Sequence, residues 1–236
     1  MTDVTANLAR VRAAIADAAA AAGRAPETIR LIAVSKTHPV SALAAAYAAG
    51  QRAFGENTVQ EALRKIADFA EPDVKWHFIG HLQSNKAKFV PGRFAWLHSL
   101  DSVRLAERLE RFARTADSTL QALIEVNVTG DPRKHGVAPG DLDPLLDALL
   151  AAGLRRVRLR GLMTIGPYGA AERDLRAAFA ALRTLAERAR ERYPLPDFTE
   201  LSMGMSGDYV EAIKEGATMV RIGSAIFGAR DYGVRA

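Results

Sequence analysis

A lysine that follows a buried strand is the first candidate for chemistry in this sequence. The run LIAVSKTHPV, residues 31–40, is apolar through Val34 and then turns polar at Ser35 and Lys36, and Pro39 restricts the loop beyond them. A lysine in a partly dry cavity has a lowered pKa and becomes a usable amine nucleophile. The alternative is a solvated surface lysine, which is the commoner state of this residue type.

Two later stretches have the composition of an anion site. In SMGMSGDYVEAI, Ser206 can cap a helix, and in RIGSA, Gly223 permits a close backbone approach while Ser224 offers a hydroxyl. The first N–H groups of a helix lack internal partners and bind phosphate. The alternative is a plain helix cap and a plain turn. With Lys36, the two stretches predict a site for a phosphorylated aldehyde, held through Schiff-base chemistry.

Arg221 has two possible roles. Side chains alternate between the faces of a strand, so Val220 and Ile222 share the face opposite to Arg221. If those two apolar residues pack against helices, Arg221 points into the interior of the sheet. There it is either an ion-pair partner of Glu125 or Glu200, or a ligand-binding group.

The histidines do not form a metal-binding pattern. His77 and His81 are four residues apart, which on a strand separates them by roughly 13 Å, too far for one ion. The others, His38, His98 and His135, lack a carboxylate cluster with ligand spacing. The chain has no cysteine, so thiolate chemistry and disulfides are excluded. We therefore expect no metal, and no Ser-His-Asp triad or Walker-type loop is visible.

Eight short apolar or alternating runs predict the strands that position these groups. The predicted strands are Ile29–Val34, Arg52–Gly55, Lys75–Ile79, Phe94–Ser99, Leu120–Val126, Arg158–Thr164, Phe198–Ser202 and Ala217–Ile222. Lys36, Asn57 and Ser206 follow the first, second and seventh runs, and the eighth run contains Arg221 and leads into Gly223 and Ser224. Active sites of parallel barrels lie at the carboxyl ends of the strands, which is where this pattern puts them.

Segments with helical spacing of apolar residues separate the strands. One begins after a predicted cap at Asp101, another ends at Gly153, and an extra helix that stops at Gly23 precedes the first strand. Eight strand–helix units predict a single (β/α)8 TIM-type barrel spanning residues 1–236, without a second domain. An open doubly wound sheet is the alternative, but no G-x-G-x-x-G follows the first strand.

The composition is that of a globular protein. Of 236 residues, 49% are hydrophobic and 25% charged. No apolar run approaches the ~20 residues of a membrane helix, and the N-terminus does not resemble a signal peptide, so we expect a cytoplasmic protein without membrane contact. The net charge is +5, but both signs alternate on the helices and the basic run RRVRLR lacks aromatic residues. We therefore expect no nucleic-acid partner.

Several motifs resemble those of a known family. AVSKTHP, FGENTVQEA, WHFIGHLQSNKAK, GLMTIGP, LSMGMSGDYVEAI and MVRIGSAIFGAR occur in order between Ile32 and Arg230. They resemble the pyridoxal phosphate homeostasis protein family, whose fold is similar to the N-terminal barrel of alanine racemases. The motifs are long, so chance agreement is negligible.

The resemblance implies a cofactor, pyridoxal 5′-phosphate (PLP), and roles for individual residues. Lys36 would carry PLP as a Schiff base, Arg221 would face the pyridine nitrogen, and Asn57 would lie near the edge of the ring. The phosphate ligands would be Ser206, Gly223 and Ser224. In the family, threonine often stands at the position of Ser224, and some members have lysine at the position of His38.

The resemblance favours a protein that stores, buffers or hands over PLP in vitamin B6 and amino-acid homeostasis. An arginine at the pyridine nitrogen is permanently charged and only donates, so it favours an unprotonated nitrogen and a weak electron sink. We expect no robust catalysis. The alternatives are a single-domain amino-acid racemase, with Tyr168 as the one tyrosine placed to assist, and a cofactor-free aldolase-like lyase. We expect a monomer whose transient partners are apo PLP enzymes. Lys134 belongs to a K-x-G element of the family, and the sequence does not indicate what this lysine does.

Overall fold

Eight parallel strands close into a barrel in which each strand pairs with its neighbours in chain order. The computed structural model describes residues 2–229. The strands are β1 Arg30–Val34, β2 Ala53–Glu56, β3 Lys75–Phe78, β4 Trp96–Leu100, β5 Leu120–Glu125, β6 Val157–Met163, β7 Glu200–Ser202 and β8 Met219–Ile222. This confirms the predicted (β/α)8 fold and excludes the open sheet. Every predicted strand is present, with ends displaced by at most two residues.

Helices surround the barrel and occupy most of the connections between strands. They are α1 Val4–Ala21, α2 Val40–Ala48, α3 Val59–Asp68, α4 Val103–Thr115, α5 Leu142–Ala151, α6 Glu172–Arg192, α7 Tyr209–Lys214 and α8 Ser224–Phe227. A 3-10 helix, Ser84–Phe89, takes the place of an α-helix between β3 and β4. The extra N-terminal helix α1 is present as predicted, and Gly23 follows its end with a left-handed φ of 64°.

The predicted cap of α4 is wrong. Asp101 does not cap α4; the cap is Ser102, whose hydroxyl accepts a hydrogen bond from the N–H of Leu105 at 3.4 Å. Ser102 has the extended backbone that an N-cap requires, and its short hydroxyl reaches the open N–H groups of the first turn. The error is one residue, because Asp and Ser are both good caps and stand side by side.

Alternation along the strands divides the interior into two layers. Val220 and Ile222 belong to the large core between the barrel and its helices, whereas Ile32 and Met219 belong to a small cluster inside the barrel. Ile32 is the partner of Arg221 across the β1–β8 ladder, which closes the barrel. Arg221 therefore points inward, as the alternation predicted, and is only 4% exposed.

Within residues 2–229, the helices are too short or too polar for any of them to cross a membrane. The final residue of the last motif, Arg230, lies outside the described residues.

Candidate functional site

A cavity of about 760 Å³ opens at the carboxyl ends of the strands. All six residues predicted from the sequence line it: Lys36, Asn57, Ser206, Arg221, Gly223 and Ser224. Asn57 belongs to a loop that touches the loop after β3, since a Cβ atom on Gly80 would lie 2.2 Å from the Asn57 carbonyl oxygen. Strand ends that are remote in sequence thus meet around one cavity, as expected for a parallel barrel.

The loop that carries Lys36 is fixed on both sides of this residue. Lys36 is half-buried and lies two residues after the end of β1. On one side, the Ser35 carbonyl accepts a hydrogen bond from Lys65 Nζ at 2.6 Å. On the other side, the Thr37 N–H donates to Glu61 Oε1 at 2.5 Å, and Thr37 has a left-handed φ of 67° that is uncommon for a β-branched residue. The surrounding contacts must hold this strained backbone.

A buried ion pair supports the loop from below. Glu56, at the end of β2, is fully buried and accepts from Lys65 Nζ at 2.8 Å and from the Ser35 hydroxyl at 2.6 Å. Burial raises the pKa of Glu56, and the bonds from Lys65 and Ser35 oppose that rise. Sequence analysis missed this pair. The available signal was Glu61 and Lys65 at i,i+4 on one helix, but that spacing is usual on solvated surfaces as well.

The loops after β7 and β8 contact each other directly. The Ser206 hydroxyl accepts a hydrogen bond from the Gly223 N–H at 3.3 Å. The prediction that Ser206 caps the following helix is wrong: α7 begins at Tyr209 with Asp208 as its N-cap residue, and Asp208 accepts from the N–H of Met205 at 2.5 Å. Ser206 lies too early in the loop to reach that helix, so its side chain joins the two bends instead.

These two bends contain backbone donors, and Ser206, Gly207, Gly223 and Ser224 of the bends line the cavity. Within residues 2–229, four N–H groups at the bends form no hydrogen bond, those of Ser206, Gly207, Ser224 and Ala225. A Cβ atom at Gly223 would lie 3.2 Å from the Val34 carbonyl oxygen, so glycine lets this bend approach the end of β1. Successive free N–H groups in a concave turn attract anions, and this arrangement fits a phosphate group.

The Arg221 guanidinium is held inside the barrel. Nη1 donates to the Ser202 hydroxyl at 2.6 Å and Nη2 donates to the Thr164 carbonyl at 2.9 Å. Burial lowers the pKa of Arg221 to about 10, so the group stays cationic at neutral pH. Within the described part of the chain, Arg221 forms no ion pair with Glu125 or Glu200, contrary to one of the two alternatives. Its hydrogen-bond partners are neutral, while the carboxyl groups of Glu125 and Asp208 act on its charge from a longer distance and raise its pKa.

Glu125, at the end of β5, is a buried carboxyl group that lines the same cavity. Its pKa is raised to about 7 by burial, and Arg221 opposes the rise. Its side chain forms no hydrogen bond or ion pair with any residue between 2 and 229. A carboxyl group that titrates near neutral pH inside a cavity can accept or donate a proton there.

Other polar side chains form the rim of the cavity. Lys134 Nζ donates to two carbonyl oxygens of the loop after β6, at 3.1 and 2.8 Å, and burial lowers its pKa. It thereby joins the loops after β5 and β6, a role that the sequence did not indicate. Tyr168 is fully exposed at the tip of the second loop. The ring of His38 packs 5.2 Å from that of Phe227.

Two histidines on neighbouring strands contact each other inside the barrel. Among residues 2–229, no group of three or more His, Cys, Asp or Glu side chains is placed to hold an ion. His77 and His98 are instead fully buried inside the barrel, with their rings joined by a hydrogen bond of 2.9 Å.

Comparisons with known proteins agree with the fold. The family model described as "Alanine racemase, N-terminal domain" matches residues 6–231. The pyridoxal phosphate homeostasis protein of Pseudomonas aeruginosa is 48% identical, with all of both chains covered. PipY of Synechococcus elongatus, solved with PLP bound, is 41% identical with a TM-score of 0.84, covering 95% of this chain and 100% of PipY. PipY solved without PLP is 43% identical with a TM-score of 0.86, over the same shares.

Proposed function

Because the chain belongs to the pyridoxal phosphate homeostasis protein family and contains the alanine racemase N-terminal domain, we propose that it binds PLP in the 760 Å³ cavity. Its role is to store or hand over the cofactor and so to contribute to vitamin B6 and amino-acid homeostasis. The observation that carries the proposal is the set of unpaired N–H groups at Ser206 and Ser224 beside a half-buried lysine.

Lys36 holds the cofactor covalently. Bound PLP supplies an aldehyde that condenses reversibly with a primary amine and a ring that withdraws electrons. Lys36 lies in the cavity at the end of β1, and β1 pairs with β8, which leads into the phosphate bend at Gly223. The fixed loop between Ser35 and Thr37 restricts where the lysine amine can go, which favours a single attachment point.

The two bends at Ser206 and Ser224 hold the phosphate, and Arg221 faces the pyridine nitrogen. An arginine donates hydrogen bonds and does not give up its proton near neutral pH, so it keeps that nitrogen unprotonated. Without a ring proton the cofactor withdraws electrons weakly. Such a site suits reversible storage better than carbanion chemistry, and a protein in this role works as a monomer with transient apo-enzyme partners.

Covalent trapping tests the assignment. Purified protein incubated with PLP should absorb as an imine, and borohydride should fix the cofactor on the peptide that contains Lys36. Lys36→Ala should lose the imine band and keep the fold. Lys75→Ala is the matched control, because Lys75 is an exposed lysine at the start of β3, remote from the cavity. Trapping on another lysine in Lys36→Ala would contradict the assignment.

A second candidate, weak racemase-like activity, is favoured by one observation. Glu125 is an acid–base group with a pKa raised to about 7 inside the cavity. The test is exchange of the α-proton of free amino acids in deuterated water, compared between the protein and free PLP. Exchange well above that of free cofactor, lost in Glu125→Gln, would replace the storage role by catalysis.

Transfer to other enzymes is measured directly. Loaded protein is mixed with an apo PLP enzyme, and the rate of its activation is compared with that given by the same concentration of free PLP. Storage with hand-over predicts activation without an intervening pool of free cofactor. Activation abolished by a PLP scavenger would contradict direct hand-over.

A further inference from the structure

A line of hydrogen-bonded polar side chains crosses the inside of the barrel behind the cavity. His77 on β3 contacts His98 on β4, with 2.9 Å between Nδ1 and Nε2. His98 Nδ1 lies 2.8 Å from the hydroxyl of Ser202 on β7. That hydroxyl accepts from Arg221 on β8 at 2.6 Å. All four side chains are buried, and of the four only Arg221 lines the cavity.

The direction of the hydrogen bonds in this line follows from Arg221. A guanidinium group only donates, so Ser202 must accept from it and can give its own proton to His98 Nδ1. His98 then carries its proton on Nε2 and donates to His77 Nδ1. His77 in turn carries its proton on Nε2. In this arrangement a single buried atom stays unsatisfied, the Nε2 of His77, which has no partner among the described residues.

The opposite direction is worse by one unsatisfied group. If His77 Nδ1 donated to His98 and His98 Nδ1 donated to Ser202, the serine hydroxyl would accept twice and leave its own proton unpaired. The lone pair on His77 Nε2 would be unpaired as well. A buried donor or acceptor without a partner is destabilising, because it gives up its hydrogen bond to water on folding and gains none in return. The first arrangement is therefore favoured.

A doubly protonated histidine is disfavoured in this line. Burial lowers the pKa of His77 to about 3, and burial together with the neighbouring His77 and Arg221 lowers the pKa of His98 well below its usual value. The rings are also held in place. His77 stacks on Trp96 at 5.7 Å with 4° between the ring planes. Neutral rings in fixed positions give each hydrogen bond one direction.

We propose that His77, His98 and Ser202 form a hydrogen-bond relay that positions Arg221 for the ligand of the cavity. In this relay each histidine is fixed in the tautomer that carries its proton on Nε2. They are positioning residues, since Arg221 is the only member of the line that reaches the cavity. The two bonds from Arg221, to Ser202 and to the Thr164 carbonyl, fix the plane of the guanidinium. Its remaining N–H groups are then available to a ligand without a further loss of side-chain entropy.

The tautomers are tested without any ligand. In protein with ¹⁵N-labelled histidine, long-range proton–nitrogen correlation spectra should show His77 and His98 neutral at pH 7, both protonated on Nε2. In Ser202→Ala, the Nδ1 resonance of His98 should move to the position of an unbonded nitrogen. Protonation on Nδ1 of either ring in the wild type, or an imidazolium at pH 7, would overturn the proposal.

The functional part of this inference rests on the proposed binding of PLP. Ser202→Ala should weaken PLP binding about tenfold, the size expected for one hydrogen bond to a charged group. Ser99→Ala is the matched control: Ser99 is also fully buried, stands on β4, and donates its hydroxyl to the Gly80 carbonyl at 2.6 Å. It should lose similar stability, keep both histidine tautomers and bind PLP within about twofold of the wild type.

The outcomes separate the two proposals. If the wild type fails to bind PLP, the proposed function is wrong, whereas the tautomer result still decides whether the relay exists. If the wild type binds PLP and Ser202→Ala binds equally well, the positioning role is wrong and the proposed function stands.

Discussion

Replacing Lys65 by methionine tests whether the buried ion pair holds the loop that presents Lys36. Lys65 is 6% exposed and its Nζ reaches Glu56 Oε1 at 2.8 Å, Glu61 Oε1 at 2.7 Å and the Ser35 carbonyl at 2.6 Å. Methionine keeps the length and apolar stem of the side chain and removes its charge. Glu56 then remains fully buried without its cation.

The expected loss is large. Removing one partner of a buried ion pair destabilises a protein by about 3–5 kcal/mol. Burial already raises the pKa of Glu56, and loss of Lys65 removes the largest opposing effect. In the variant, Glu56 should therefore take up a proton at neutral pH, which limits the loss to the lower end of that range. Lys65→Met should also weaken PLP binding, because the Ser35 carbonyl loses its anchor.

A double-mutant cycle measures the coupling. The free energy of unfolding is obtained from urea titrations of the wild type, Lys65→Met, Glu56→Gln and the double variant. The double variant should be more stable than Lys65→Met, since the uncompensated carboxyl group is gone. Lys75→Met, at an exposed position, should change stability by less than about 0.5 kcal/mol. A loss below about 1 kcal/mol in Lys65→Met, or a double variant no better than the single one, would refute the reasoning.

Three further changes test other parts of the structure. The pKa of Glu125 is about 7 in the folded protein and lower in the unfolded chain, so its contribution to stability falls as pH rises from about 4.5 to 7. Glu125→Gln should remove this pH dependence and raise the free energy of unfolding by at most about 3 kcal/mol above pH 7. Urea titrations at pH 5 and pH 8 measure both effects. The neutral His77 and His98 act in the opposite sense, because these histidines take up protons below pH 6.5 in the unfolded chain. The free energy of unfolding of the wild type should therefore fall with acidification between pH 6.5 and 3. A double His→Gln variant whose stability falls as steeply over this range would contradict the burial of the two rings in neutral form. Gly223→Ala should weaken PLP binding, because the new Cβ would lie 3.2 Å from the Val34 carbonyl oxygen and push the bend away from the end of β1. Unchanged PLP affinity in calorimetry would show that binding does not depend on the close approach of this bend.

The parts of the fold that depend on local pattern could be predicted from the sequence. Each strand has its own apolar run, and alternation along β8 was enough to orient Arg221 inward. The same reasoning collected six residues that do line one cavity, because carboxyl ends of parallel strands always meet. Their roles toward PLP stay predictions until the trapping and binding experiments are done.

The parts that depend on contacts between distant residues could not be predicted. Arg221 bonds to Ser202 and Thr164 rather than to Glu125 or Glu200, because the register of β6, β7 and β8 decides which groups are near. The Glu56–Lys65 pair joins a strand to a helix, and the His77–His98 pair joins two strands. The positions of strands and helices in space determine which residues form these pairs, and no periodicity along the chain predicts those positions.

The closing β1–β8 ladder determines when during folding the site can exist. Lys36 follows the first strand and the bend at Gly223 follows the last, and these strands pair through Ile32 and Arg221. A nascent chain without β8 lacks Arg221, Gly223 and Ser224, which line the cavity, so on the proposed assignment PLP should bind only after β8 has paired with β1. On this proposal, PLP binding would report that the barrel has closed. A circular permutant that joins the two ends and opens the barrel elsewhere should acquire the site earlier in refolding.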